Sequence, residues 1–318
     1  MSLRRFIAKR LLLVFPILFG VSIITFALVH WTPGDPIDHM LGLNPDITAA
    51  EEQAIRDRYG LNDPIYQQYF AWMSNLLTGD LGEMYSSGRD VGPIVRDRLP
   101  ETIVLGIFGW VFALVIAIPA GIYAAVNKDK LGDSVSRFFA LAGISIPNFW
   151  LGLMLILVFA LYLDWFSATP PSREPLYSPQ MLYYLLLPGI TIGTASAAAL
   201  MRVMRTSMAE EMNKEYVTAA RAKGLPERTV VLKHVLRNSL ISVVTLAALL
   251  TASIISGSVV VEYVFNWPGL GREFIEALHE HEIDMIMAVT LITGTAIIIA
   301  NLIADIMYAV LDPRIRYD

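Results

Sequence analysis

Six long stretches of this chain contain no Asp, Glu, Lys, Arg or His: residues 11–29, 102–127, 138–163, 181–201, 238–261 and 285–304. A bilayer core of roughly 30 Å needs about 20 apolar residues of α-helix, so each stretch is long enough to cross it. In lipid every backbone polar group has to be satisfied internally, which leaves helices or closed barrels. A barrel would show short alternating strands instead. Only 17% of the 318 residues are charged, against about 25% in soluble domains, and the mean hydropathy is +0.54. Buried helices of a soluble core are shorter and separated by more polar faces. The expectation is an all-α membrane protein with spans at 9–31, 100–126, 137–163, 181–205, 238–262 and 285–309.

The first stretch follows Arg4, Arg5, Lys9 and Arg10, in the manner of a secretion signal. It is too long for a signal core, and no small-x-small cleavage site follows it. It reads as a retained first helix, ended by Trp31 and a turn at Pro33-Gly-Asp-Pro36. Orientation comes from Lys and Arg. The N-terminus, 126–137, 202–237 and the tail carry 17 of them, whereas the two short segments on the opposite side carry two. Positive loops stay inside, which places both termini in the cytoplasm of a multi-pass cell-membrane protein. The opposite face is acidic, with eleven acidic and five basic residues in 31–98, and six against one in 262–284. Its acidity fits a mouth for cationic solutes, or simply the same topology rule.

The long loop at 32–98 reads as helical. Thr48 and Glu51 fit a capping box, with a stop at Gly60. Asp63-Pro64 reads as an N-cap followed by a proline at the first helical position. Tyr69, Trp72, Met73 and Leu76 then recur at helical spacing up to Gly79. This region can roof a pathway or receive a partner. Pro119, Pro147 and Pro188 interrupt three of the apolar stretches, and broken helices often flank transport sites. Gly189, Gly193 and Ala197 form a small-residue stripe that lets helices approach closely.

Residues 202–237 are the most informative loop. Glu210 to Lys223 reads as a short helix with a Glu210–Lys214 pair, and Gly224 and Pro226 stop it. Met212, Tyr216, Val217, Ala219 and Ala220 give it a narrow apolar face. Docking into a partner's groove and lying on anionic lipid both account for such a helix.

Several chemistries are missing. There is no cysteine, no phosphate-binding G-x-x-x-x-G-K-[ST], no G-x-S-x-G and no H-E-x-x-H. A net charge of −5 gives no reason to expect a nucleic-acid partner. His279-Glu-His-Glu282 offers metal-ligand chemistry, but reads as a solvated loop before the last helix. Asp305 is the acid in the last apolar stretch; it lies near Arg314 and Arg316 in sequence, as an ion pair or as a proton relay. No catalytic, cofactor or metal site is visible. Asn148, beside a proline, and Glu262, at a helix mouth, are the candidates for a substrate path.

The segment Glu215-Tyr-Val-Thr-Ala-Ala-Arg-Ala-Lys-Gly224, with Leu236 twelve residues on, resembles the EAA loop of ABC importer permeases. Thr218 stands in place of that motif's own Glu, and Arg237 in place of its final Pro, as in the dipeptide/oligopeptide branch. Further resemblances to that branch run in order along the chain. They are Pro33-Gly-Asp-Pro36, Tyr59-Gly-Leu-Asn-Asp-Pro64, Gly79-Asp-Leu-Gly82, Arg98-Leu-Pro100, Ser145-Ile-Pro-Asn-Phe-Trp-Leu-Gly152, Val260-Val-Glu-Tyr-Val-Phe265, Trp267-Pro-Gly-Leu-Gly271 and Leu311-Asp-Pro-Arg-Ile-Arg-Tyr317. His279–Glu282 departs from the family, which often has an Arg-Asp-Tyr-Pro type segment there.

The resemblance implies the type I importer permease fold, with no enzyme activity of its own. It implies a heterodimer with a second homologous permease, two ATP-binding subunits that hold ATP and Mg, and an extracytoplasmic solute-binding protein. It also implies that 210–225 is a coupling helix seated on an ATPase through Glu215, Tyr216, Ala219, Ala220, Arg221 and Gly224. The cargo it implies is di- or oligopeptide, the branch also moving nickel, glutathione and oligosaccharides. Without the resemblance, an ATP-independent secondary transporter is the rival; it would show an inverted repeat and a central charge, and neither is present.

Overall fold

The computed structural model describes residues 3–31, 48–58, 60–167, 170 and 178–311. The turn at Pro33–Pro36, Tyr59, and the tail with Arg314 and Arg316 lie outside the described residues. All regular structure among the described residues is helical, apart from one isolated bridge between Glu83 and Asp90. The helices are α1 (Leu3–Trp31), α2 (Ala49–Arg58), α3 (Ile65–Thr78), α4 (Val91–Val126), α5 (Leu131–Ser145), α6 (Asn148–Tyr162) and α7 (Pro179–Glu211). Then come α8 (Glu215–Ala222), α9 (Glu227–Val264), α10 (Leu270–Glu280) and α11 (Ile283–Leu311). Five are long and apolar enough to cross a bilayer singly: α1, α4, α7, α9 and α11.

The expected third span is not straight. α5 and α6 meet at 106° around Pro147. Proline lacks an N–H and pushes the residue before it out of the helical region, and Ile146 accordingly sits at φ −80°, ψ 124°. Pro119 and Pro188 do not break their helices; both lie inside continuous α4 and α7. Of the three prolines singled out, only Pro147 carries a bend.

The chain divides into two compact units. The larger comprises 1–11, 103–267 and 296–318, and the smaller 12–102 and 268–295. In the larger unit α7 is central. Fifteen of its residues are buried, and it packs against α9, α5 and α6. Its glycine stripe faces α4 closely. A Cβ on Gly189 would lie 2.1 Å from the Phe108 ring, and one on Gly193 would lie 2.5 Å from the carbonyl oxygen of Gly109. Ala198 meets Gly143 of α5 in the same way, at 2.9 Å. The stripe is therefore a packing surface between helices.

One buried ion pair joins α5 to α7. Asp133 is fully enclosed and accepts both Nε and Nη2 of Arg205, the latter at 2.7 Å. Farther along the chain in the same unit, Asp305 pairs with Arg10 of α1 at 2.7 Å. The acid expected beside the tail arginines is thus a structural partner of the N-terminus.

In the smaller unit the Thr48–Glu51 capping box is present, with Thr48 N–H to Glu51 Oε2 at 2.8 Å and Glu51 N–H to Thr48 Oγ1 at 3.4 Å. The next helix is capped one residue later than expected, by Pro64 itself and without a side-chain bond. Gly79 ends it at φ +88°, in the left-handed region that favours glycine. Half-buried Tyr69 donates or accepts with Ser22 of α1 at 2.9 Å, and Gln68 meets His30 at 3.2 Å. A core of Val91, Ile94, Val95, Leu270, Met285 and Val289 holds α4, α10 and α11 together in this unit.

His279–Glu282 is not a solvated loop. His279 and Glu280 close α10, His281 caps it at φ +57°, and Glu282 is fully buried. The Glu282 carboxylate accepts the backbone N–H groups of Tyr85 and Ser86 at 2.5 and 2.8 Å. These donors lie almost two hundred residues away in sequence. Among the described residues no group of three His, Asp or Glu is placed to hold a metal ion.

Candidate functional site

A helix stands where the coupling helix is expected, and it is shorter than its sequence pattern. α7 runs through Glu210 to Glu211, three residues turn, and α8 covers Glu215–Ala222. Lys214 therefore pairs backward with Glu211 at 2.6 Å and not with Glu210. Glu215 lies in the first turn and Arg221 in the last, the favourable arrangement for a helix dipole. Gly224 then reverses the chain at φ +75°, where its N–H returns to Arg221 O at 2.9 Å. No atom lies within 4 Å of where a Cβ would sit, so its requirement is conformational and not steric.

Burial divides the six predicted residues. Ala220, together with Val217, which is not one of the six, points into the larger unit, joining Met208, Val230, Val231 and Val235 in one core cluster. Glu215, Ala219, Arg221 and Gly224 are exposed, as are Thr218 and Ala222. Tyr216 is half-buried. Its hydroxyl donates to Glu211 at 2.5 Å and accepts from Asn238 Nδ2 at 3.0 Å, tying the end of α7 to α9. Burial, with that bond to Glu211, pushes the phenol's pKa above its ordinary value. Arg221 reaches Glu227 through Nε and Nη2 at 3.0 and 2.7 Å, which clamps the exit of α8 to the start of α9.

The sequence reading missed three of the groups that fix α8: Glu211, Glu227 and Asn238. Glu211 and Glu227 flank the motif, but only the fold shows which carboxylate each cation takes. The apolar stripe was visible; that Val217 and Ala220 of it are buried within the chain was not. Ala220 thus belongs to the inward face. Substituting it tests the bundle as well as docking.

The two path candidates fall on neighbouring elements. Asn148 opens α6 just after the bend and is half-buried, with its Nδ2 3.8 Å from where a Cβ of Gly257 on α9 would sit. Glu262, five residues farther along α9, is completely buried. Its carbonyl oxygen accepts Trp267 N–H at 2.8 Å, at the end of α9.

Two family models match consecutive parts of the chain. One is described as the N-terminal part of a binding-protein-dependent transport system membrane component and covers residues 3–106. The other, the binding-protein-dependent transport system inner membrane component, covers residues 117–317. The chain belongs to this family.

It is 39% identical to an oligopeptide transport system permease protein of Bacillus subtilis over 98% of its own length and 99% of the relative's. To a dipeptide transport system permease protein of Alkalihalophilus pseudofirmus it is 36% identical, over 97% and 98%. To a glutathione transport system permease protein of Escherichia coli it is 38% identical, over 98% and 99%. The chain is therefore a multi-pass inner-membrane permease subunit of an ABC transporter that works with other subunits, and it is not an enzyme.

Proposed function

We propose that this permease imports di- and oligopeptides, with α8 as the element that transmits ATP hydrolysis from partner subunits. The cargo reading rests on relatives at 36–39% identity named as oligopeptide, dipeptide and glutathione permeases. Glutathione is itself a small peptide, so the three share a chemistry that nickel or an oligosaccharide lacks.

The partners in this reading are a second homologous permease, two ATP-binding subunits carrying ATP and Mg, and an extracytoplasmic solute-binding protein. Both termini face the cytoplasm, six spans occupy 9–31, 100–126, 137–163, 181–205, 238–262 and 285–309, and the loop at 32–98 faces the binding protein. α8, at the heart of 210–225, then lies on the ATPase side.

One observation supports the coupling assignment: α8 leaves one face exposed while Val217 and Ala220 on the other are built into the bundle core. Moving a two-state equilibrium from 1:99 to 99:1 takes about 5.5 kcal/mol of differential free energy. Exposed ion pairs, at about 0–1 kcal/mol, cannot transmit that alone. Val217 and Ala220 share a core with α7 and α9, so displacing α8 displaces both helices. ATP-driven closure of the ATPases would in this way bias inward-open against outward-open bundles. Asn148, half-buried at the bend, is the residue we place beside the substrate path. Glu262, fully enclosed, acts there through its neighbours as a positioning residue.

Affinity purification from the native membrane in mild detergent, with mass spectrometry of everything retained, tests this reading. Two P-loop ATPases and a second six-helix permease are expected. Recovery of the chain alone under several detergents would overturn it.

A further inference from the structure

A half-open cleft of about 370 Å³ lies between α4, α5 and α7 in the larger unit. Its rim carries Arg137, Arg202, Arg205 and Thr206; its far end is apolar, with Leu141 and Ile144 on one wall. Guanidinium groups stay protonated at any physiological pH. The carboxylate against them is Asp133, bonded to Arg205 and 3.6 Å from Arg137. Three positive groups and one negative leave this end with a surplus of two positive charges. Arg202 is exposed and makes no ion pair among the described residues. Nearby Lys128 and Lys130 outweigh the exposed Asp129 in the loop leading into α5.

The cleft is polar at one end and apolar at the other, and the change falls where the apolar stretches begin and end. Arg137 and Arg205 bound the expected spans at 137–163 and 181–205, at the level of lipid headgroups. Leu141 and Ile144, one and two turns deeper, are 69% and 44% exposed. A free phosphate would satisfy the arginines and leave that apolar wall uncovered. A zwitterionic lipid would cover the wall but bring no net charge to the arginines. Basic pockets between transmembrane helices suit anionic headgroups.

We propose that this cleft binds one anionic phospholipid, its phosphate between Arg137 and Arg202 and an acyl chain along Leu141 and Ile144, bracing α5 against α7. The binding claim does not depend on the coupling assignment.

The test uses the intact purified transporter, relipidated with either phosphatidylglycerol or phosphatidylcholine, and native mass spectrometry to count retained lipid. Wild type should retain phosphatidylglycerol in preference by about tenfold at this site, as expected for charge-assisted bonds from two arginines. Arg202→Gln should weaken that preference, and Arg137→Gln with Arg202→Gln should abolish it. Arg202 makes no ion pair among the described residues, so Arg202→Gln leaves the Asp133–Arg205 bridge between α5 and α7 in place. Excess inorganic phosphate should leave the lipid in place, whereas displacement by phosphate alone would make this an anion site and overturn the lipid claim. Equal retention of the two lipids, or no change in either variant, would also overturn it. So would cross-linking of Leu141→Cys to another subunit, which would show that protein covers the cleft.

Discussion

Ala219 and Ala220 are adjacent on α8 but differ in burial, one exposed and one enclosed, so the same substitution should fail in two different manners. Ala219 is exposed, and Ala219→Glu should change the stability of the permease by no more than about 0.5 kcal/mol. Ala220 is 8% exposed among valines and methionines of the bundle core. A carboxylate there has no cation to meet within that cluster. Buried acids without a partner have their pKa raised by about 3 units, and each unit is about 1.4 kcal/mol, so Ala220→Glu should cost about 4 kcal/mol. The chain escapes part of that cost only by lifting α8 off the bundle. Thermal unfolding in detergent, measured beside the amount of ATPase retained on affinity purification, separates the two variants. Ala219→Glu should unfold like wild type and lose the ATPase, whereas Ala220→Glu should unfold at a clearly lower temperature. Equal destabilisation by both, or loss of the ATPase from a fully stable Ala220→Glu, would refute the orientation of α8.

Three further outcomes follow from the packing. Gly193→Ala should destabilise the bundle by about 1–3 kcal/mol, because its Cβ would meet the Gly109 backbone at 2.5 Å and neither helix can yield cheaply; heat stability in detergent reads this directly. Asp133→Asn should cost about 3–5 kcal/mol by leaving Arg205 mostly buried without its counter-charge, and Arg205→Met added to it should restore part of the loss in the same assay. Glu282→Gln should weaken two backbone bonds to Tyr85 and Ser86 by about 1–3 kcal/mol in total, seen as faster amide hydrogen exchange at 83–88 with little change elsewhere.

The spans were legible because a bilayer leaves a one-dimensional mark: charge disappears for about 20 residues wherever the chain crosses it. The capping box at Thr48 and the glycine stop at Gly79 were legible for a similar reason, since both act within one turn. The bend was not. Pro119, Pro147 and Pro188 look alike in sequence, yet only Pro147 follows a residue released into the extended region, while the other two sit in helices held by their neighbours. The fate of Glu282 was hidden because its partners are backbone N–H groups brought from the far end of the chain. At the candidate site the motif located α8 but not its facing. An eight-residue helix whose apolar stripe is built mostly from alanine and valine suits a partner's groove and the chain's own bundle equally well. Burial of Val217 and Ala220 assigns those two residues to the bundle and leaves Ala219 on the open face.

The chain has no cysteine, so a single introduced thiol reports one position. With Ala219→Cys or Val217→Cys in the membrane-embedded transporter, a short bifunctional thiol–amine reagent should join Ala219→Cys to an ATP-binding subunit. Val217→Cys, enclosed in the bundle, should give no such product. Cross-linking from the buried position, or none from the exposed one while the complex stays assembled and active, would contradict α8 as the link to the ATPase.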